Sequence, residues 1–309
     1  MKIAINAWFW DNPTVGSGQY LRCLLPALLE TDPSLEITLI APKPFDPDPA
    51  TVQPRLKSLV ASPPFGGSSS NLAKVWFEQV TFPRVCRRLK VDLAHVPYFG
   101  SPLAPAVPTV VTIHDVIPMV LPEYRGGLLV RLYTSLVAAA AGQASLILAD
   151  SEASRRDILA KLRLPAERVR TIYLAPAPHF QPAETWQQLV EIKKKYNLPE
   201  NFVLYLGGYD VRKNVSALLH AYTWVSATLG DQYPLVLAGR LPETDTAFFP
   251  DPRRMARELG LEEFIITPAG LPKRINRCST RRRRCLSTLR ATRALVCRCW
   301  KRWPAASPL

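Results

Sequence analysis

The fold of this chain is constrained most by the alternation of short apolar stretches with amphipathic helical stretches along residues 1–270. Residues 2–8 alternate in polarity and then become apolar, as a buried strand does. Five leucines at helical spacing follow within residues 20–29. Because the same strand-then-helix order continues to residue 270, the sequence predicts an α/β fold whose parallel sheet is covered on both faces.

The alternation falls into two series, separated by a proline-containing stretch. Residues 175–183 hold Pro176, Pro178 and Pro182 and are interpreted as a linker. We therefore predict two Rossmann-like domains facing across a cleft, over residues 1–183 and 184–270, with the second incomplete. Strands are predicted at residues 2–8, 36–41, 91–96, 108–114, 145–149, 168–174, 202–208, 235–239 and 263–270. Helices are predicted at residues 20–29, 71–89, 128–141, 152–162, 186–196, 214–229 and 253–260, with Pro83 expected to kink or end the second.

The net charge of +14 is concentrated in the last part of the chain. Residues 271–309 carry 12 of the 39 lysines and arginines and no acidic residue, so residues 1–270 are close to neutral. Four of the six cysteines, Cys278, Cys285, Cys297 and Cys299, also lie there. A composition break of this size marks residues 271–309 as a separate basic tail.

Composition and hydropathy exclude several classes of protein. Hydrophobic residues make up 48% of the chain and charged residues 21%, which excludes a disordered chain. The chain contains no run of about 18 uncharged apolar residues, so no membrane-spanning helix is predicted. The first residues lack the long apolar region of a signal peptide, so a cytoplasmic protein is expected.

Two glycine-containing loops suit the binding of phosphate groups. Gly16 and Gly18 lie between the first strand and a predicted helix, where backbone N–H groups and the helix dipole favour an anion. In the second series, Gly207 and Gly208 end a strand, and Arg212 and Lys213 open the next helix. Cations are disfavoured at a helix N-terminus unless an anion lies between them, so both loops indicate a ligand in the cleft. Tight turns and a solvated loop remain the simpler explanations.

One histidine stands where open α/β sheets bind ligands. His114 ends the predicted strand 108–114, at the carboxyl edge of the sheet, and is followed by Asp115. On position alone, a structural role is as consistent as a functional one. Nothing distinguishes His95, His179 or His220 as a candidate.

These motifs, in this order, resemble those of the retaining family 4 (group 1) glycosyltransferases of GT-B fold. The resemblance covers about residues 1–270. It rests on the glycine loop at Gly16 and Gly18, and on T-I-H-D at residues 112–115 with Pro118. It also rests on A-D-S-E-A-S at residues 149–154, Y-L-G-G at 205–208, R-K-N at 212–214 and L-A-G at 237–239.

The resemblance implies sugar transfer from a nucleotide-sugar to an acceptor hydroxyl, with the anomeric configuration retained. Lys213, assisted by Arg212, would hold the donor diphosphate, and His114 would lie beside the donor sugar as the catalytic-site residue. Gly16, Gly18, Gly207, Gly208 and Gly239 would complete the donor-binding set. The donor would be a GDP- or UDP-sugar, with mannose one candidate, and neither a metal nor another cofactor is expected.

The donor-binding signature E-G-F-G-x-P-x-x-E-A-M-A, expected late in such a chain, is missing, and the basic tail stands in its place. A shifted reading frame pairs the third base of each codon with the first two bases of the next codon. Synonymous codons can be chosen for the printed residues so that this shifted frame reads EGFGLPVLEAMA across residues 292–303. We therefore interpret residues 271–309 as an out-of-frame segment that follows the loss of one base near residues 271–273. The sequence predicts a truncated enzyme with impaired transfer.

The basic tail and its cysteines also allow other functions. The run of arginines at 281–284 would suit a nucleic-acid-binding arm, but the frame change explains the arginines, cysteines and tryptophans together. Cysteine spacings of x₆, x₁₁ and x₁ do not match zinc knuckles, and disulfides are disfavoured in the cytoplasm. A non-catalytic folded remnant or sugar-binding protein remains the alternative.

The acceptor is expected to be a saccharide or a lipid-linked saccharide, with peripheral contact at the inner membrane face. Aromatic side chains in the loops of the first domain are suited to stacking on sugar rings, and local packing explains them equally well. They are Trp8, Phe9, Trp10, Tyr98, Phe99 and Tyr124.

Overall fold

The computed structural model describes residues 1–13, 15–45, 54–64, 71–175 and 186–268. The chain divides into two compact units, Met1–Leu174 and Ala175–Leu309. Most of the interpreted linker and the whole basic tail lie outside the described residues. Both units have the predicted α/β organisation.

The first unit is built on a parallel sheet of seven strands in the order β3-β2-β1-β4-β5-β6-β7. The strands are β1 (Lys2–Asn6), β2 (Glu36–Ala41), β3 (Leu56–Val60), β4 (Leu93–Val96), β5 (Thr109–Ile113), β6 (Leu146–Ala149) and β7 (Val169–Thr171). The helices are α1 (Gly16–Thr31), α2 (Asn71–Trp76), α3 (Phe82–Leu89), α4 (Ile117–Val120), α5 (Leu128–Ala141) and α6 (Glu152–Leu162). All the strand pairs run parallel, which brings the carboxyl ends of neighbouring strands to one edge.

Two apolar layers cover the faces of this sheet, as the alternating pattern predicts. Ile3 and Ile5 of β1 pack with Leu21 and Leu25 of α1 on one face. Ala4, which points the other way, belongs to the second layer with residues of α3, α5 and α6. Each fully buried leucine contributes about 1.5–3 kcal/mol to folding, so α1 is held mainly by its leucine face.

Of the two effects expected of Pro83 in the helix predicted at residues 71–89, a kink or an end, the structure does not show an end. α2 continues through a π-helical segment, Phe77–Thr81, directly into α3. The Phe82 N–H donates to the carbonyl of Phe77, five residues back. The wider π turn precedes the proline, whose ring would clash with the carbonyl four residues back in a regular α-helix.

The strand β3 was not predicted from the sequence. Leu56–Val60 lies at the sheet edge with most of its residues exposed or half-buried, and Lys57 and Ser58 interrupt its apolar pattern. Period-two alternation signals a strand only when one face is buried, so an edge strand of this kind gives a weak signal.

The second unit carries a three-stranded parallel sheet in the order β10-β9-β8. Its strands are β8 (Val203–Leu206), β9 (Leu235–Ala238) and β10 (Ile265–Ile266), and its helices are α7 (Trp186–Lys195), α8 (Val215–Leu229) and α9 (Pro252–Glu258). Leu235 and Leu237 pack against Leu219 and Tyr222 of α8, and Val236 and Ala238 face the other layer. The predicted strand 263–270 is two residues long in the structure, preceded by a 3₁₀ turn at Glu262–Phe264.

Candidate functional site

His114 and Asp150 lie side by side at the carboxyl edge of the first sheet. Ile113 of β5 is in register with Ala149 of β6, so the residues that follow these two strands are neighbours. His114 Nδ1 lies 2.8 Å from Asp150 Oδ2, and His114 Nε2 lies 3.2 Å from the carbonyl oxygen of Pro97, after β4. Three consecutive strands therefore fix the imidazole ring at the edge where α/β sheets bind ligands.

The hydrogen-bond partners of His114 favour its protonated form. A carbonyl oxygen and a carboxylate only accept, and the imidazolium is the form of the ring in which both nitrogens donate. Burial lowers the pKa of His114, but the hydrogen bond and charge of Asp150, together with the Pro97 carbonyl and Asp115, raise it above 6.5. The site therefore favours a positive charge on this ring, and 23% of the His114 side chain is exposed.

A second histidine, His95, lies close enough to His114 to be affected by its charge, and it is neutral near pH 7. His95 on β4 is buried, and burial, with the charge of His114, lowers its pKa to about 4. Its Nε2 lies 2.9 Å from Thr112 Oγ1, which in turn lies 3.3 Å from the Tyr20 hydroxyl. His95 was not predicted to have a role, although it is a polar residue inside the apolar stretch of β4.

Residues of α1 and α6 complete the surroundings of His114. The ring of Tyr20 meets that of His114 edge to face, with 5.0 Å between ring centres. The Ser154 hydroxyl donates to the backbone carbonyl of His114 at 3.1 Å, and Ser151 caps α6 by accepting from the Ser154 N–H. The segment 149–154 thus holds both the carboxylate and the backbone of the histidine in place.

The sequence predicted Gly16 and Gly18 in a loop before the first helix, but both lie in the first turn of α1. A Cβ on Gly16 would meet open space, so the first turn of α1 is accessible there. A Cβ on Gly18 would lie 2.2 Å from the carbonyl oxygen of Asn12 and 2.6 Å from that of Phe9. Packing of α1 on the turn of residues 9–12 therefore requires Gly18 and leaves Gly16 accessible.

The loop aromatics contribute mostly to local packing. Trp10 and Tyr98 are buried, with 1% and 3% of their surface exposed. The ring of Phe9 packs edge to face on Tyr98 with centres 4.8 Å apart, and Trp8 packs on Phe77. Trp10 and Tyr98 therefore have no face open to a sugar ring.

In the second unit, Gly207 and Gly239 bring two strand ends into close approach. Leu206 is in register with Ala238, and each glycine follows directly. Gly239 has a φ of +128°, and a Cβ there would lie 2.2 Å from the Gly207 carbonyl oxygen. The Gly208 carbonyl accepts from the Tyr205 hydroxyl. These glycines shape the carboxyl edge of the second sheet.

Arg212 and Lys213 are not on the helix that follows them. They lie on a 3₁₀ turn, Val211–Lys213, and Asn214, with a φ of +49°, separates that turn from α8. Arg212 Nε donates to Asp210 Oδ1 at 3.2 Å, so this guanidinium has a carboxylate partner within the chain. The prediction that this pair opens the next helix is therefore wrong, and Asp210 was not predicted as a partner of Arg212.

Other predicted features are addressed only in part by the structure. Among the described residues, no group of three or more His, Cys, Asp or Glu side chains is placed to hold a metal ion. The cysteines considered for zinc lie outside those residues. Within the same residues, no helix has the length and apolar character needed to cross a membrane.

Solved structures share this fold. The Anabaena protein Alr3699/HepE, crystallised with UDP and glucose, matches with a TM-score of 0.60 and 17% identity, over 88% of this chain and 71% of that one. WaaG, a glycosyltransferase of lipopolysaccharide biosynthesis, matches with a TM-score of 0.58 and 15% identity over the same shares. At such identities the likeness concerns the fold, which is that of GT-B glycosyltransferases.

The sequence also matches the family model of Glycosyltransferase Family 4 over residues 16–175, slightly more than half of the chain. The chain belongs to this family. The matched region contains the Gly16 loop, His114 and Asp150, so the candidate site of the first unit lies within it.

Two Escherichia coli proteins are among the related sequences. The serotype-specific mannosyltransferase WbdA is 33% identical over 132 residues, which are 42% of this chain and 16% of WbdA. O-antigen chain mannosyltransferase B is 32% identical over 131 residues, 42% of this chain and 34% of that protein. The matches therefore span about a sixth and a third of the lengths of these relatives.

Proposed function

We propose that this fold serves the transfer of a sugar from a nucleotide-sugar to an acceptor hydroxyl, with retention of the anomeric configuration. The observation that carries the proposal is the His114–Asp150 pair, a histidine whose pKa is raised by a carboxylate partner, at the ligand-binding edge of a family 4 glycosyltransferase unit. A preorganised cation stabilises negative charge that develops as the diphosphate departs.

The roles of the chain's residues follow from this assignment. His114 contacts the donor sugar, and Asp150 keeps its ring charged and oriented. The accessible first turn of α1 at Gly16 receives an anionic group. In the second unit, Lys213 and Arg212 bind the donor diphosphate beside the strand ends at Gly207 and Gly239. Mannose is the sugar favoured by the names of the E. coli relatives, with GDP or UDP as the nucleotide.

The same proposal includes the out-of-frame interpretation of residues 271–309. If the signature glutamates are encoded but shifted out of frame, the 309-residue chain transfers sugar weakly or not at all. Sequencing the gene across the codons of residues 269–277, from independent template, shows whether a base is restored there, which would make the true product full-length, or whether the printed frame stands, which would make the chain a relic of such an enzyme. Codons of residues 292–303 that do not read EGFGLPVLEAMA in the shifted frame would overturn the interpretation.

The enzymatic proposal is tested by comparing two purified proteins: the 309-residue chain and the product with one base restored near residues 271–273. Each is incubated with radiolabelled GDP-mannose, UDP-glucose or UDP-galactose and a panel of saccharide and lipid-linked acceptors. We expect transfer by the restored protein, abolished by His114→Ala, with the α-linkage of the donor kept in the product. Tight donor binding without transfer to any acceptor would instead favour a non-catalytic sugar-binding remnant.

We also propose that the first unit contacts the inner membrane face peripherally. The first turns of α5 expose Leu128 by 72%, Leu129 by 78% and Leu132 by 57%, with Arg131 exposed among them. Apolar side chains that enter the bilayer interface, with a neighbouring cation, suit an anionic lipid surface. A lipid-linked acceptor would meet the protein at such a surface.

A further inference from the structure

Glu78 is a fully buried carboxylate that no role assigned above explains. It lies on the π-helical segment Phe77–Thr81 with none of its surface exposed. Tyr133 of α5 donates to its two carboxylate oxygens at 3.1 and 3.0 Å, and Lys74 Nζ lies 3.4 Å from Oε1. Lys74 also donates to the Tyr133 hydroxyl at 2.7 Å. A cluster of this kind joins α2, the π segment and α5.

The π segment also holds the loop that follows β4, residues 97–103. Gln79 donates through its amide nitrogen to the Ser101 carbonyl at 3.0 Å and accepts from the Leu103 N–H at 2.8 Å. A Cβ on Gly100 would lie 2.7 Å from Glu78 Oε1, so the loop backbone lies directly against the carboxylate. Consecutive residues of the π segment thus contact the 97–103 loop at two points.

The other end of this loop contacts His114. The Pro97 carbonyl is the acceptor of the His114 Nε2–H, at 3.2 Å. Four residues of chain, Pro97 to Gly100, therefore connect the buried carboxylate with the His114 ring of the candidate site. We propose that Glu78 and Gln79 are positioning residues, which act through the 97–103 loop to set the Pro97–His114 hydrogen bond.

The groups around Glu78 can couple its ionisation to the position of the 97–103 loop. Burial raises the pKa of Glu78 to about 7, although Lys74, Tyr133 and Tyr98 all lower it in part. Among the described residues, the Tyr98 hydroxyl and the Asn6 amide nitrogen are buried without a hydrogen-bond partner. Tyr98 belongs to the 97–103 loop, and its hydroxyl lies close enough to Glu78 to lower the pKa of that carboxyl without forming a hydrogen bond of good geometry. Since an ionised carboxylate is the stronger acceptor, we expect loss of the Glu78 proton to draw Tyr98 towards it and so to change the Pro97–His114 hydrogen bond.

The test is an NMR titration of the full chain without donor, following the His114 imidazole and the amides of Gly100 and Leu103. The four histidine signals are assigned by their loss in single His→Gln variants. In the wild type we expect the two loop amides to show an inflection near pH 7 that persists when His114 is replaced by Gln, and the His114 ring to show the same step beside its own titration. In Glu78→Gln, which resembles the protonated carboxyl, the amide inflection and the added step disappear, whereas the titration of His114 itself remains. Persistence of the amide inflection in Glu78→Gln would overturn the proposal.

Gln79→Ala provides a second, independent arm. With the loop released from its two amide hydrogen bonds, the Pro97 acceptor is held less closely and the pKa of His114 falls. Gln143→Ala, in the exposed turn that follows α5, is the matched control and leaves the His114 titration unchanged. Equal titrations of His114 in wild type and Gln79→Ala would contradict the positioning role.

This inference rests on the proposed function only in the assignment of His114 to the donor sugar. Because the titration uses no donor, coupling of Glu78 to His114 is measured whether or not transfer occurs. Retained transfer in His114→Ala would refute that assignment and leave the coupling intact. Absent coupling would leave the transfer assay unaffected.

Discussion

The Nδ1 atom of His114 lies 2.8 Å from the Oδ2 atom of Asp150, across two strand ends that are 36 residues apart in the chain. The parallel pairing of Ile113 with Ala149 produces this contact. With the Pro97 carbonyl on the other ring nitrogen, the pair keeps a protonated imidazole at the sheet edge. Stability, charge state and the proposed donor contact therefore depend on the same two side chains.

Replacing Asp150 by Asn removes the acceptor that keeps His114 charged. Burial then dominates, and the pKa of His114 falls below its ordinary value of 6.5. We expect a loss of about 1–3 kcal/mol in the free energy of unfolding, typical of a buried polar group left poorly paired.

The pH dependence of Asp150→Asn has a definite sign. A histidine whose pKa is raised by folding contributes stability that is complete below 6.5 and is lost as pH rises through the folded pKa. The deficit of the variant is thus largest at acidic pH. Urea unfolding from pH 5.5 to 9 checks this, with exposed Glu152→Gln as control; a deficit that grows with pH would contradict it.

Glu78→Gln is expected to become more stable relative to the wild type as pH rises. Folding raises the pKa of Glu78 from its ordinary value of 4.5 to about 7. Between these pH values the folded state therefore holds a proton that the unfolded state has released. Wild-type stability therefore falls across that interval, by up to about 3 kcal/mol. Thermal unfolding of both proteins from pH 4 to 8 measures the difference. A constant difference at all pH values would show that Glu78 ionises normally.

Gly239→Ala is expected to destabilise the second unit. The substitution places a Cβ 2.2 Å from the Gly207 carbonyl oxygen at a φ of +128°. Strain of this kind costs at least about 2 kcal/mol. Gly208→Ala is the matched control, since its Cβ would meet only Asp210 Oδ2 at 3.4 Å. Hydrogen exchange of the β8 and β9 amides distinguishes the two variants, and equal protection in both would refute the prediction.

The double variant Leu128→Ser, Leu129→Ser tests the proposed membrane contact. Without these two exposed side chains, we expect at least a fivefold loss of sedimentation with anionic phosphatidylglycerol vesicles. Trp224→Ser, which removes an 84% exposed apolar side chain of the second unit, is the control and retains binding. Equal binding by all three proteins would locate any lipid contact elsewhere.

Periodicity and glycine placement predicted much of the fold. The bounds of β2, α5 and α6 agree with those predicted, because each element buries one face and local pattern reports burial. Pro83 and β3 show the limits of local reasoning. A π turn accommodates the proline, and an edge strand lacks the alternation that a buried strand displays.

For the candidate site, the sequence by itself determined which residues follow strands, namely His114, Gly207 and Gly239, and that Gly16 lies at the start of the first helix. It also determined the family, through motifs in a fixed order. Only the tertiary structure decided the partners, namely Asp150 and Pro97 for His114 and Asp210 for Arg212. It likewise brought the distant Tyr133 to Glu78. The physical reason is that strand register and helix packing, not spacing along the chain, determine which polar atoms meet, and those contacts set the charge of each group.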